Sequence, residues 1–113
     1  MDLSQKTCMP CKQGEPPLSE GRVRELAKDI PGWILVPGES KLQREFKFRD
    51  FAAAMAFVGK VAGIAEKEDH HPDIFIHYNR VTLLLWTHAV GGLSENDFIL
   101  AAKINTLKLQ RVA

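Results

Sequence analysis

A chain of 113 residues is long enough for one domain and too short for two. With 45% hydrophobic and 26% charged residues it has the composition of an ordinary globular domain. Its net charge of +1, without any basic stripe, leaves nucleic-acid binding no electrostatic support. The apolar runs fall well short of the roughly 18 residues of a membrane span. Met1-Asp2-Leu3-Ser4 opens a polar segment with no apolar secretion core, so a cytoplasmic protein is expected. A core this small leaves little room for a deep pocket, which favours a shallow site or one completed by a second subunit.

Residues 1–17 are rich in Pro, Gly and polar side chains and are expected to form an irregular arm. The arm carries both cysteines, Cys8 and Cys11, as Cys-Met-Pro-Cys. This is half a zinc site, a redox pair, or neither. Residues 18–113 are expected to form a single domain. Ser19 can cap a first helix with Val23, Leu26, Ala27 and Ile30 on one face, stopped by Pro31-Gly32. A strand Trp33–Val36, a turn at Pro37–Ser40 and a returning strand Leu42–Phe48 follow. Asp50 starts the longest helix. Its predicted buried stripe is Phe51, Met55, Val58, Ala62 and Ala65, and Pro72 should end it near Asp69.

Asp73–Tyr78 alternates as a strand, Asn79-Arg80 is a tight connection, and Val81–His88 is the next strand. Val81, Leu83 and Leu85 share one face of it; Thr82, Leu84, Trp86 and His88 share the other. Ser94 should cap a last helix bearing Phe98, Ala101, Ala102, Asn105 and Leu109. The order helix, hairpin, helix, hairpin, helix is that of an α+β fold: one four-stranded antiparallel sheet with helices packed on one face. Free sheet edges and Trp86 on the second face are liabilities in a monomer, so a homodimer or homotetramer is expected.

The chemistry concentrates in one stretch. All four histidines, His70, His71, His77 and His88, fall within 19 residues. Histidine titrates nearest neutral pH, so such a cluster points to proton transfer or metal ligation. Glu66, four residues before His70, should reach that imidazole. The helix end with His70 and His71 and the strand end with His88 can meet at one rim, where two imidazoles could donate and accept protons. Each residue also has a plain structural role open to it. The helix dipole favours His70 and His71, His88 suits a surface strand end, and Asp97 suits a capping box with Ser94. His77 reads as structural. Zinc spacings of the H-E-x-x-H type are absent, and His70-His71 are too close to ligate from one helix face, so no metal and no cofactor is expected. G-x-G-x-x-G, a phosphate-binding P-loop and G-x-S-x-G are also absent.

The spaced set Glu66, His70-His71-Pro72, Tyr78, His88 and Asp97 resembles the signature of the pterin-4a-carbinolamine dehydratases. Leu18-Ser19, Gly32-Trp33 and Gly92-Leu93-Ser94-Glu95 extend the resemblance from about Leu18 to the C-terminus. It implies a four-stranded α+β fold, dimers or tetramers, and loss of water from a 4a-hydroxytetrahydropterin to give a quinonoid dihydropterin. It also implies His70, His71 and His88 as the active-site histidines, with Glu66 and Asp97 orienting. Ala89-Val90 stands where the better-known animal members have Glu-Cys, and the cysteine arm has no counterpart in them. Some relatives assist a transcription factor, but no residue here carries that role over. The readings left open are a dehydratase of tetrahydrobiopterin recycling, one of another pterin pathway such as molybdenum-cofactor metabolism, and a non-catalytic pterin- or protein-binding module.

Overall fold

The computed structural model describes residues 2–107. Its regular elements are α1 (Glu20–Ala27), β1 (Ile34–Leu35), β2 (Leu42–Lys47), α2 (Phe51–Glu68), β3 (Asp73–His77), β4 (Arg80–Leu85) and α3 (Glu95–Asn105). The four strands form one antiparallel sheet in the order β1-β2-β4-β3. Strand alternation puts Leu42, Phe46, Val81, Leu83 and Leu85 on one face. Buried residues of all three helices join these in a single core, so the predicted α+β layer is present.

Capping residues define the helix starts as read from the sequence. The Ser19 hydroxyl accepts the Arg22 N–H at 3.2 Å, and the Asp50 carboxylate accepts the Ala53 N–H at 2.8 Å. At the other end of α2, Asp69 takes a left-handed conformation with φ 51°. The His70 N–H then returns to the Ala65 carbonyl at 3.2 Å, which closes the helix and turns the chain toward β3.

The predicted stripe of α2 is out of phase, although Ala65 is buried as expected. The buried positions are Ala54, Phe57, Val61, Ala65 and Glu68, while Phe51 and Met55 are exposed. The helix is rotated by one residue, about 100°, from the expected orientation. Apolar and small residues surround most of this helix, so spacing alone does not choose a face. Ring packing does: the Phe57 centroid lies 4.5 Å from Phe46 and 5.0 Å from Phe48.

Three other elements differ from expectation. β1 has two residues rather than four. The β3–β4 turn is Tyr78-Asn79, with Tyr78 at φ 53° on an exposed hairpin tip. β4 ends at Leu85 rather than His88, because Thr87 bridges to Gly92 and His88–Val90 winds into one 3-10 turn. Among the described residues nothing covers the second face of the sheet. Ile34 and Phe75 stand more than half exposed there, with Thr82, Leu84 and Trp86 half-buried. Leu109 lies outside the described residues.

The arm packs on the domain. A 3-10 turn at Leu3–Gln5 buries Leu3 in the core, and Lys103 donates to the Ser4 carbonyl at 2.8 Å. Deleting the Phe57 ring removes the contact that phases α2. Phe57→Ala should cost about 3–5 kcal/mol in urea unfolding, with the slope of the transition unchanged.

Candidate active site

The site is built around one buried carboxylate. Asp97 lies in the first turn of α3 and is fully buried. An ionised carboxylate removed from water is costly unless donors surround it, and three do. His70 Nε2 lies 2.6 Å from Oδ1. The Thr87 hydroxyl and the Ser94 N–H each donate to Oδ2 at 2.9 Å. Asp97 therefore caps its own helix with one oxygen and holds an imidazole with the other.

This contact fixes a chemical state. A charged carboxylate only accepts, so His70 Nε2 must carry hydrogen. Nδ1 is then the nitrogen left to exchange a proton, and among the described residues no hydrogen bond occupies it. The imidazole is nearly buried, with 12% of its side-chain surface exposed. It lines a cavity of about 220 Å³ together with Thr87, Ala89, Asn96 and the Cys8–Cys11 segment.

The expected partner of Glu66 is corrected. Its carboxylate contacts His71 Nε2 at 2.5 Å and leaves His70 to Asp97. The left-handed residue Asp69 swings the chain off the helix axis, so helical i,i+4 spacing no longer applies to His70. The His71–Glu66 pair is solvent-exposed, and such pairs contribute little to stability. His88 is exposed and stacks on Trp86, with centroids 3.7 Å apart. Its chain neighbour Thr87, not His88 itself, belongs to the buried network. The Trp86 indole N–H donates to Asp73 at 3.3 Å, and Lys41 lies 4.8 Å from the ring. His77 lies on β3 with no side-chain hydrogen bond among the described residues, and Tyr78 stays at the hairpin tip.

Three residues of this neighbourhood escaped the sequence reading. Thr87 was hidden by its place in a strand pattern. Glu68 and Asn96 carried no motif, yet both are buried beside the cavity. Among the described residues no group of three or more His, Cys, Asp or Glu is arranged to hold a metal. No helix among them is long and apolar enough to cross a membrane.

The rim of this small α+β fold thus holds an imidazole against a buried carboxylate. Comparison with known proteins places the chain in a family. Residues 16–107 match the family model described as pterin 4 alpha carbinolamine dehydratase. A Stenotrophomonas maltophilia (strain K279a) protein, provisionally named as such a dehydratase, is 51% identical over 108 residues, covering 96% of this chain and 93% of its own. A Nitrosospira multiformis protein of the same provisional name is 48% identical over 106 residues, covering 94% and 92%. The crystal structure of a transcriptional coactivator/pterin dehydratase from Brucella melitensis superposes with a TM-score of 0.75 at 42% identity, covering 79% of this chain and 95% of that one. The chain belongs to the pterin-4a-carbinolamine dehydratase family, a family of hydro-lyases.

Burial, with the Glu68 carboxylate beside it, pushes the Cys8 thiol up to about 12 from an ordinary 9.0. The folded state therefore holds this proton more tightly than the unfolded chain. The resulting stability is complete below pH 9.0 and is lost as pH rises toward 12. Thiolate is the reactive form, so at pH 8 native Cys8 should react with iodoacetamide at least ~10-fold slower than after denaturation, as mass spectrometry would read it.

Proposed function

We propose that this protein removes water from 4a-hydroxytetrahydropterin by histidine general acid–base catalysis. The observation that carries the reading is the His70–Asp97 contact at the cavity wall, which holds one imidazole in one tautomer. In the reaction the C4a–O bond breaks, and an acid gives the departing hydroxyl its proton. A base takes the N5 proton, and the N5 electron pair forms the C4a=N5 bond of the quinonoid dihydropterin. No electrons are gained or lost overall, so the step asks only for groups that move protons near neutral pH.

His70 and His88 are the proposed proton carriers. Asp97 orients His70, and His71, steadied by Glu66, contacts the pterin or its hydroxyl. Membership of the family supports the reaction, and the proposed setting is tetrahydrobiopterin recycling in the cytoplasm. The protein is proposed to act as a homodimer or homotetramer. The exposed Ile34 and Phe75 on the uncovered sheet face support a second copy there.

Two measurements test this. A dehydratase assay with 4a-hydroxytetrahydropterin generated in situ should show catalysis by the wild type. His70→Ala with His88→Ala should lose about 10²–10⁴-fold in rate while keeping the fold by circular dichroism. A double variant as fast as wild type would leave the site a binding module. Light scattering at micromolar concentration should give at least twice the monomer mass; a monomer would remove the oligomer.

A further inference from the structure

The cavity beside His70 has an unexpected wall. Cys8, Met9, Pro10 and Cys11 of the N-terminal arm face His70 and Ala89 across it. Two buried polar residues hold this segment in place. Asn96 accepts the Met9 N–H at 2.9 Å and donates its amide to the Met9 carbonyl at 2.5 Å. A side chain that satisfies both polar groups of one backbone residue fixes its position and orientation, as a paired strand would. Glu68 accepts the Cys8 N–H at 2.9 Å and forms an ion pair with Lys103 at 3.7 Å. Leu3 already anchors the arm in the core, so these polar clamps act specifically where the arm borders the site.

We propose that the Cys8–Cys11 segment is a specificity wall of the catalytic pocket and that Asn96 is the residue that positions it. The wall restricts the substrate to carbinolamines with a small substituent on the reduced ring. This rests on the dehydratase reading above. The cavity of about 220 Å³ is smaller than the roughly 300–1,000 Å³ of sites for drug-sized ligands. That space suits a bicyclic head, and the Cys8–Cys11 segment borders it on one side. Asn96 and Asp97 are chain neighbours in the first turn of α3, so one helical turn positions both the wall and His70. The segment also lies within the stretch matched in the Stenotrophomonas relative, which takes in 96% of this chain.

The test compares wild type, Asn96→Ala and Cys11→Trp on two carbinolamines generated in situ, one with a methyl and one with a bulky aryl group at C6. Trypsin, which can cut after Lys6 and Lys12, reports whether the arm is released. In Asn96→Ala we expect faster tryptic cleavage, a KM for the methyl substrate raised about 10-fold, kcat within about 3-fold, and discrimination against the aryl substrate reduced at least ~5-fold. Asn96→Gln, which keeps the amide, should restore part of the discrimination. Cys11→Trp adds bulk to the wall; it gives up the 3.5 Å contact from the Asn96 amide to Cys11 Sγ but leaves both Asn96–Met9 hydrogen bonds, and should raise KM for both substrates. An arm released with KM and discrimination unchanged overturns the proposal, as does an equal fall in kcat on both substrates or a Cys11→Trp enzyme with wild-type KM. Wild type inactive on both substrates would instead overturn the dehydratase reading. The wall is then read by fluorescence quenching of 6-methylpterin and a 6-arylpterin with the same variants, where equal affinities in wild type and Asn96→Ala overturn it.

Discussion

The buried carboxylate of Asp97 is the constraint on which the site depends. Removing a charge from water costs several kcal/mol unless the protein replaces the lost hydration. Here the replacement comes from the end of α2, the segment after β4 and the start of α3, through His70, Thr87 and the Ser94 N–H. Each donor belongs to a different element, so satisfying the charge also fixes how those elements meet. The same bonds that stabilise the carboxylate therefore orient the imidazole. Pre-organisation of this kind lets a histidine exchange a proton without first paying for its own alignment.

Local departures from regular structure follow from that arrangement. β4 gives up its last residues so that Thr87 can turn inward to Asp97, and His88 consequently sits on a 3-10 turn rather than a strand. α2 ends in a left-handed Asp69, a conformation that costs a non-glycine residue of the order of 1 kcal/mol. The strain lies immediately before His70 and is held by the His70 N–H bond to Ala65 and the Asp97 contact on either side of it. A non-glycine residue thus makes the turn that brings His70 to Asp97.

Much of this was legible in the chain. Ser19 and Asp50 announced their helices because a cap is a local event between a side chain and a backbone N–H three residues on. The two hairpins and the inward face of β4 followed from period-two alternation. The phase of α2 was not legible, because its residues are apolar or small on too many sides, and only the distant rings of Phe46 and Phe48 choose Phe57. Within the site, the histidines and Asp97 were marked by type and spacing. Their pairing was not, since Glu66 is nearer His70 in sequence while Asp97 reaches it through the fold. Glu68, Thr87 and Asn96 were invisible for a similar reason: each matters through a partner far away in the chain.

The three candidate histidines are not equivalent in this fold. His70 is nearly enclosed and held by a buried charge, whereas His71 and His88 lie on exposed surface. The enclosed side of the site has α3 behind it and the arm beside it. The Trp86–His88 stack, outside the cavity lining, is bordered by Asp73 and Lys41. A core of this size cannot enclose a ligand from every direction. One side is made rigid from within the chain, by spending the polar groups of α3 and recruiting an N-terminal arm. The other side stays open beside Ile34 and Phe75, the apolar surface that a second copy would cover. Assembly through that face would then complete the side of the rim that α3 and the arm leave open.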